Sequence, residues 1–389
     1  NYYDIISMSY LFLSCTEQFF EECQKAYGQP ALMFSGGATL GLFHTGVCKV
    51  LLEQDLMPRV LSGSSAGAIM TGMLGVSAAD KVPELLKGEH FFSDAFKFRK
   101  MTELIRGNGG IADVMYLKKF LMNNLGDVTF AEAYQQSKRH INIVIAPYNT
   151  AQNPRIMNAL TAPNVLVWSA VLASCAVPVL FPPVHVTSKR YDGQHTPYLA
   201  NTRWVDGSMR SDFPQEKMAR LYNINYTIAS QVNPHIVPFM QSDTERFRRD
   251  VLSWPERIIR HQGKAIAMEF LDLTRHYMGD FFPIRRILDH GYGILGQRYY
   301  GDVNIIAKYG LRHYHYMLKN PRPKLFKILQ QEGERATWPK ISSIEIHARI
   351  GKTIEHCLTS LRKQQEKQQN DFYLVDVGFE VSLCCFNVN

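Results

Sequence analysis

Leu61-Ser62-Gly63-Ser64-Ser65-Ala66-Gly67 says more about this chain than any other stretch. It contains Gly63-x-Ser65-x-Gly67, the pattern that sets a serine on a sharp turn between a strand and a helix. Glycines suit that turn because it is crowded, and a side chain at Gly63 or Gly67 would collide with the neighbouring strand or helix. The Ser65 hydroxyl then stands at a helix N-terminus, where the positive end of the macrodipole favours developing negative charge. Such a hydroxyl suits acyl transfer through a covalent serine ester. The flanks fit. Arg59-Val60-Leu61 reads as a short apolar strand, and Ala66, Ala68, Ile69, Met70, Met73 and Leu74 read as a helix rich in small packing residues.

A second glycine cluster lies upstream. Ala31-Leu32-Met33-Phe34 reads as a buried strand, followed by Ser35-Gly36-Gly37-Ala38-Thr39-Leu40-Gly41 and a helix from Leu42 to Gln54. A glycine-rich turn at a helix start points several backbone N–H groups at one spot, which can hold an oxyanion. Alone it is as well read as a tight strand-to-helix loop; beside a serine turn, the oxyanion hole is the better reading. The third element is Trp204-Val205-Asp206-Gly207-Ser208, a strand end followed by an Asp-Gly turn.

These three pieces, in this order, resemble the patatin-like phospholipase family: a glycine-rich oxyanion loop, a GxSxG elbow, and an Asp-Gly pair that supplies the base of a Ser–Asp dyad. The stretch from Ser174 to Pro183 resembles the family's apolar loop near the active site. Ser35 to Gly41, Ser230 to His235, Gln297 to Asn304 and Ala336 to Lys340 resemble the branch of yeast and plant storage-lipid triacylglycerol lipases and their bacterial relatives. One departure stands out: many members carry Arg or Lys where this chain has Leu40. The resemblance implies a three-layer α/β/α fold with a mainly parallel central sheet, a helical insertion and a helical C-terminal region. It implies Ser65 as nucleophile, Asp206 as base, and Gly36, Gly37 and Ala38 as oxyanion donors. Gly41, Gly63, Gly67 and Gly207 support the motifs. The implied activity is release of fatty acids from glycerophospholipids or acylglycerols.

Three other readings stay open. Ser65…Asp206…His235 follows the chain order of an α/β-hydrolase triad, which makes His235 an alternative base. A scaffold or lipid-binding protein with a silent site is the non-enzymatic alternative, and a third reading is an activity that waits on a protein activator.

Composition is consistent with a large globular enzyme. The chain has 389 residues, 46% of them hydrophobic, and no repeat is visible. Its domains read as an N-terminal helical segment over 1–29, a catalytic domain over 30–235 with an insertion at 80–139, a helical and membrane-facing region over 236–365, and a polar linker and tail over 366–389. Seven cysteines without a CxxC pair point to a reducing, intracellular compartment. His313-x-His315 lacks further ligand spacing, so no metal or other cofactor is expected. The net charge of +8 leans toward anionic surfaces, but no nucleic-acid module is recognisable. The uncharged run from Val165 to Val184 is interrupted by Pro178, Pro182 and Pro183, and reads as a buried helix and apolar loop rather than a membrane span. No signal peptide is seen, and the first residue, Asn1, suggests a fragment or processed form. Aromatic and basic residues from Phe91 to Met101, and the arginines around Arg246, Arg248 and Arg249, suit peripheral contact with a membrane or lipid-droplet surface.

Overall fold

The structure, a computed structural model, describes residues 2–88, 111–149, 152–178, 180–208, 212–234, 236–237, 240, 300–317 and 319–386, of which 2–10, 311–312 and 368–386 are described by their backbone. His235 and the 246–264 arginine segment lie outside the described residues, as does the whole aromatic and basic stretch from Phe91 to Met101.

Strand β1 (Gln29–Phe34) forms first in the chain and sits at the middle of the sheet. Its residues Ala31 to Phe34 are all inaccessible, as expected for a strand covered on both faces. Helix α1 (Tyr2–Tyr27) precedes it; α2 (Phe43–Glu53), β2 (Val60–Gly63) and α3 (Ala66–Val76) follow. The next elements are α4 (Val114–Leu125), α5 (Phe130–Ser137), β3 (His140–Pro147), β4 (Arg155–Met157) and α6 (Val167–Ser174). A small hairpin of β5 (Thr187–Lys189) and β6 (His195–Pro197) leads to β7 (Trp204–Asp206), α7 (Gln215–Tyr222) and β8 (Ile224–Gln231). Then come β9 (Val303–Ile306), α8 (Pro323–Thr337) and α9 (Ile341–Phe386).

Among the described residues the main sheet runs β4-β3-β2-β1-β8-β9, with β7 also paired to β3. Pairings among β3, β2, β1, β8 and β9 are parallel; β4 and β7 lie antiparallel to β3. Alternate residues of β1 feed different layers. Leu32 and Phe34 join the main core with α2, α3, α6 and α8, while Ala31 and Met33 pack with Met218 and Tyr222 of α7. The outcome is helices on both faces of a mainly parallel sheet, the three-layer architecture expected.

The described elements depart from the sequence reading in three places. β9 pairs in parallel with β8 (Ile228↔Val303 through Gln231↔Ile306), so the sheet extends beyond residue 235, where the catalytic domain was drawn to end. Helix α8 also packs directly on α2: a Cβ on Gly333 would lie 2.2 Å from Phe43 O, and one on Gly46 1.9 Å from Gln330 O. Such backbone-to-backbone proximity is open only to glycine. The last difference is α9, which continues through 366–386 where a polar linker and an undecided tail were expected. Its Glu366-Lys367-Gln368-Gln369 run is polar, but these are strong helix formers, and polarity there does not mark a break; Glu366 and Lys367 are exposed.

Helix α1 fills most of the segment 1–29 read as helical and pairs antiparallel with α9. Arg362 reaches Glu17 (2.8 Å) and Glu21 (2.7 Å), and the Tyr27 hydroxyl donates to His347 O (2.8 Å). The uncharged run after Asn164 folds as helix α6, buried along its whole length. Among the described residues no helix is long and apolar enough to cross a membrane.

Candidate active site

Parallel strands end at one edge of a sheet, and loops leaving that edge form a crevice where neighbouring connections diverge. Here β1 ends at Phe34 and releases the glycine loop, while β2, paired Phe34↔Gly63, ends in the serine turn. Asp206 ends β7 opposite Ile145, close to the end of β3. The topology thus brings together three segments that are far apart in sequence.

The serine turn is tight. Ser65 has φ 51° and ψ −118°, a backbone region that L-residues rarely occupy, and it directly precedes α3. A Cβ on Gly63 would lie 2.2 Å from Gly67 O, and one on Gly67 would lie 2.3 Å from Phe34 O. Strain of this kind persists only where its surroundings enforce it. The enforcing bonds come from the end of α6. Ser174 Oγ accepts the Ser65 N–H (3.0 Å) and donates to Val144 O (2.7 Å), and Cys175 Sγ donates to Ser65 O (3.3 Å). The Ser174–Cys175 stretch is therefore a brace for the serine backbone.

Asp206 is 1% exposed and Ser65 8%. Burial pushes the Asp206 carboxyl up to about 6, against bonds from Ser208 and Ser65 that favour the charged form. The Ser208 N–H donates to Oδ1 at 2.8 Å, while Oδ2 has no hydrogen-bond partner. The Ser65 hydroxyl is among the groups that favour the charged carboxylate. Gly207 brings the turn close to β3, since a Cβ there would sit 2.5 Å from Val144 O. Among the described residues no histidine bonds to Asp206 or Ser65.

The glycine loop lies against the serine: a Cβ on Gly36 would be 3.2 Å from Ser65 Cβ. Of the three expected donors, Gly36 is already engaged, its N–H donating to Asp212 Oδ1 at 3.1 Å. Gly37 and Ala38 follow, with Ala38 at φ 49°, and their amides make no hydrogen bond to the described residues. The Ala66 N–H, at the first position of α3, is likewise unengaged. Sequence reading did not single out Ala66, although the amide after an elbow serine is a recurrent oxyanion donor. Gly41 packs against Ala66, where an added Cβ would meet Ala66 Cβ at 2.5 Å.

Two buried groups escaped the sequence reading altogether. His44 bridges the loop to β8: Nδ1 lies 2.7 Å from Ser230 Oγ and Nε2 3.1 Å from Ser35 O. Burial pushes its pKa down to about 4, so it is neutral at pH 7. Asp212 is the other, joined to Gly36 and, through Oδ1, to the Ser64 hydroxyl. A lone histidine in a helix and an aspartate before Phe213-Pro214 carry no spacing signal; only the folded chain brings them to the loop.

Beside Ser65 opens a narrow, partly open cavity of about 90 Å³. Its walls include Leu42, Met70, Leu117, Phe120, Val177 and Phe181, with Ala38 and Ala66 at the serine end. No charged side chain lines it among the described residues. Cys175 also faces it, its thiol held well above the usual range by burial and the Asp206 charge. Among the described residues no group of three or more His, Cys, Asp or Glu side chains could hold a metal ion.

Residues 32–218 match the patatin-like phospholipase family. The chain is 30% identical over 368 residues to Triacylglycerol lipase SDP1L of Arabidopsis thaliana, covering 90% of this chain and 45% of that protein. It is 33% identical to Triacylglycerol lipase 5 of Saccharomyces cerevisiae, covering 88% of this chain and 49% of that one. With Triacylglycerol lipase ptl3 of Schizosaccharomyces pombe it shares 31% identity, over 89% of this chain and 73% of the relative. It spans about half the length of the first two of these relatives. The family match encloses the glycine loop, the serine turn and Asp206, and the chain belongs to the patatin-like phospholipase family.

Proposed function

We propose that this chain hydrolyses lipid acyl esters, with Ser65 as nucleophile and Asp206 as its base, and that its substrate is a neutral acylglycerol. The observation that carries the reading is a strained, buried serine beside an aspartate lifted to about 6, at the end of an apolar cavity. Ser65 Oγ attacks the ester carbonyl carbon while its proton passes to Asp206 Oδ2. The carbonyl electron pair moves onto oxygen, where the amides of Gly37, Ala38 and Ala66 stabilise it. Collapse expels the glyceride alcohol, which takes the proton from Asp206. Asp206 then deprotonates water, the water attacks the acyl-serine, and fatty acid leaves as Ser65 regains its proton. A base lifted toward neutral pH accepts a hydroxyl proton more readily than an ordinary aspartate.

The cavity favours an uncharged glyceride over a phospholipid, because its described walls offer an acyl chain apolar contact and offer a phosphate no cation. The named activities of the relatives agree. Helix α4 supports action at a lipid surface. Leu117 and Phe120 turn to the cavity, while Met115 and Met122 are exposed beside Lys119. The test combines an active-site fluorophosphonate with product analysis from mixed triacylglycerol and phospholipid emulsions. Labelling at Ser65 with fatty acid released chiefly from acylglycerol is the expected result. Folded, unlabelled protein overturns the hydrolase reading, and preferential phospholipid cleavage overturns the choice of substrate.

A further inference from the structure

The dyad uses one buried carboxyl, yet a second stands at the glycine loop. Asp212 is 1% exposed, lies just before α7, and is hydrogen-bonded to the loop at Gly36. Its Oδ1 accepts two bonds from different segments: the Gly36 N–H at 3.1 Å and the Ser64 hydroxyl. Gly36 begins the loop that carries the candidate oxyanion amides, and Ser64 directly precedes the nucleophile. One oxygen therefore fixes the spacing between the two halves of the site. An error on the order of 1 Å in such spacing costs a reaction about a hundredfold.

We propose that Asp212 is a positioning residue for ester hydrolysis, clamping the glycine loop to the serine turn and doing so best as the neutral acid. This rests on the dyad reading of the preceding subsection. Neutrality matters because of where a charge there would sit. An anion bonded to the Gly36 N–H stands one residue from the amides that must receive the transition-state oxyanion, and like charges oppose each other strongly in a buried site.

Among the described residues, the groups acting on Asp212 are Ser64, the Gly36 amide and the Asn233 side chain, together with one charged neighbour, Asp206. Burial lifts Asp212 to about 7; the Asp206 charge lifts it further, against the bonds from Ser64, Gly36 and Asn233. Burial raises both carboxyls, and an ionised Asp206 favours the neutral form of Asp212. Activity therefore declines as rising pH ionises Asp212 as well.

The experiment compares wild type, Asp212→Asn and Asp212→Ala on a soluble p-nitrophenyl ester, with Gly36 amide hydrogen exchange read on the same proteins. Asparagine retains an oxygen acceptor but cannot ionise. It is expected to keep kcat within about threefold at pH 6.5 and to lose the decline above pH 7. Alanine is expected to lower kcat at least about tenfold with KM little changed, and to speed Gly36 exchange. An unaltered alkaline limb in Asp212→Asn, or unchanged Gly36 protection in Asp212→Ala, overturns the proposal. The exchange measurement needs no turnover. A wild type that protects Gly36 through Asp212 yet leaves Ser65 unlabelled by fluorophosphonate counts against the dyad and leaves the clamp standing.

Discussion

Replacing Ser174 with alanine separates the brace of the serine turn from its chemistry. The hydroxyl is fully buried, and it is the partner of the Ser65 N–H and a donor to Val144 O. Stranding the buried Ser65 amide costs about 1–3 kcal/mol, and the lost bond to Val144 adds about 1 kcal/mol, so the expected destabilisation is about 2–4 kcal/mol. Part of this falls on catalysis. Ser65 sits at φ 51° and ψ −118°, a conformation that carries on the order of 1–3 kcal/mol of strain and relaxes when its restraint goes. Urea unfolding measures the first effect. The rate of fluorophosphonate labelling at Ser65 measures the second, at a urea-free concentration where the variant is folded. Labelling should slow by about tenfold or more, since about 1.4 kcal/mol of lost preorganisation is tenfold. A stability loss under about 0.5 kcal/mol together with unchanged labelling would show that the elbow holds its shape without Ser174.

Asp206→Asn should lower turnover of a soluble ester by about 10²–10⁴-fold with an unchanged melting curve, and retained activity refutes Asp206 as the base. For His44 the linkage sign runs toward acid lability. Its folded value of about 4 lies below the ordinary 6.5, so its contribution is complete above pH 6.5 and is lost as pH falls toward 4. That loss reaches about 3 kcal/mol, and His44→Gln should flatten this part of the urea-stability profile; an identical acid slope in the variant rejects it. Gly333→Ala should destabilise by about 1–3 kcal/mol despite alanine's helix preference, because the new Cβ would stand 2.2 Å from Phe43 O; a stabilised variant contradicts the helix crossing. Ile69→Trp should crowd the cavity and lower kcat/KM for long-chain esters at least about tenfold relative to butyrate, and an unshifted chain-length profile moves the acyl site elsewhere.

Much of the site was legible because its requirements are local. Gly63 and Gly67 are glycines for reasons that act within a few residues or against the adjacent strand, so the turn advertises itself in sequence. The buried run of β1 read correctly as a strand, since continuous apolar residues are the mark of parallel strands covered on both faces. The edge strand Val303–Ile306 did not read as part of the sheet: four residues with a central Asn304 carry too little pattern. Gly36 was expected to face the oxyanion, and its amide turned out to serve Asp212.

Residue order alone was enough to place a serine between a strand and a helix, with a glycine loop before it and an Asp-Gly turn after it. Short-range sterics dictate those features, and they survive in any fold that contains them. Tertiary structure alone decided that Asp206 would be stripped of water, that Ser174 would hold the serine backbone, and that His44 and Asp212 would secure the loop. Desolvation and hydrogen bonding between distant segments depend on which surfaces the sheet brings into contact. Nothing in the neighbourhood of an isolated Asp or His encodes that contact.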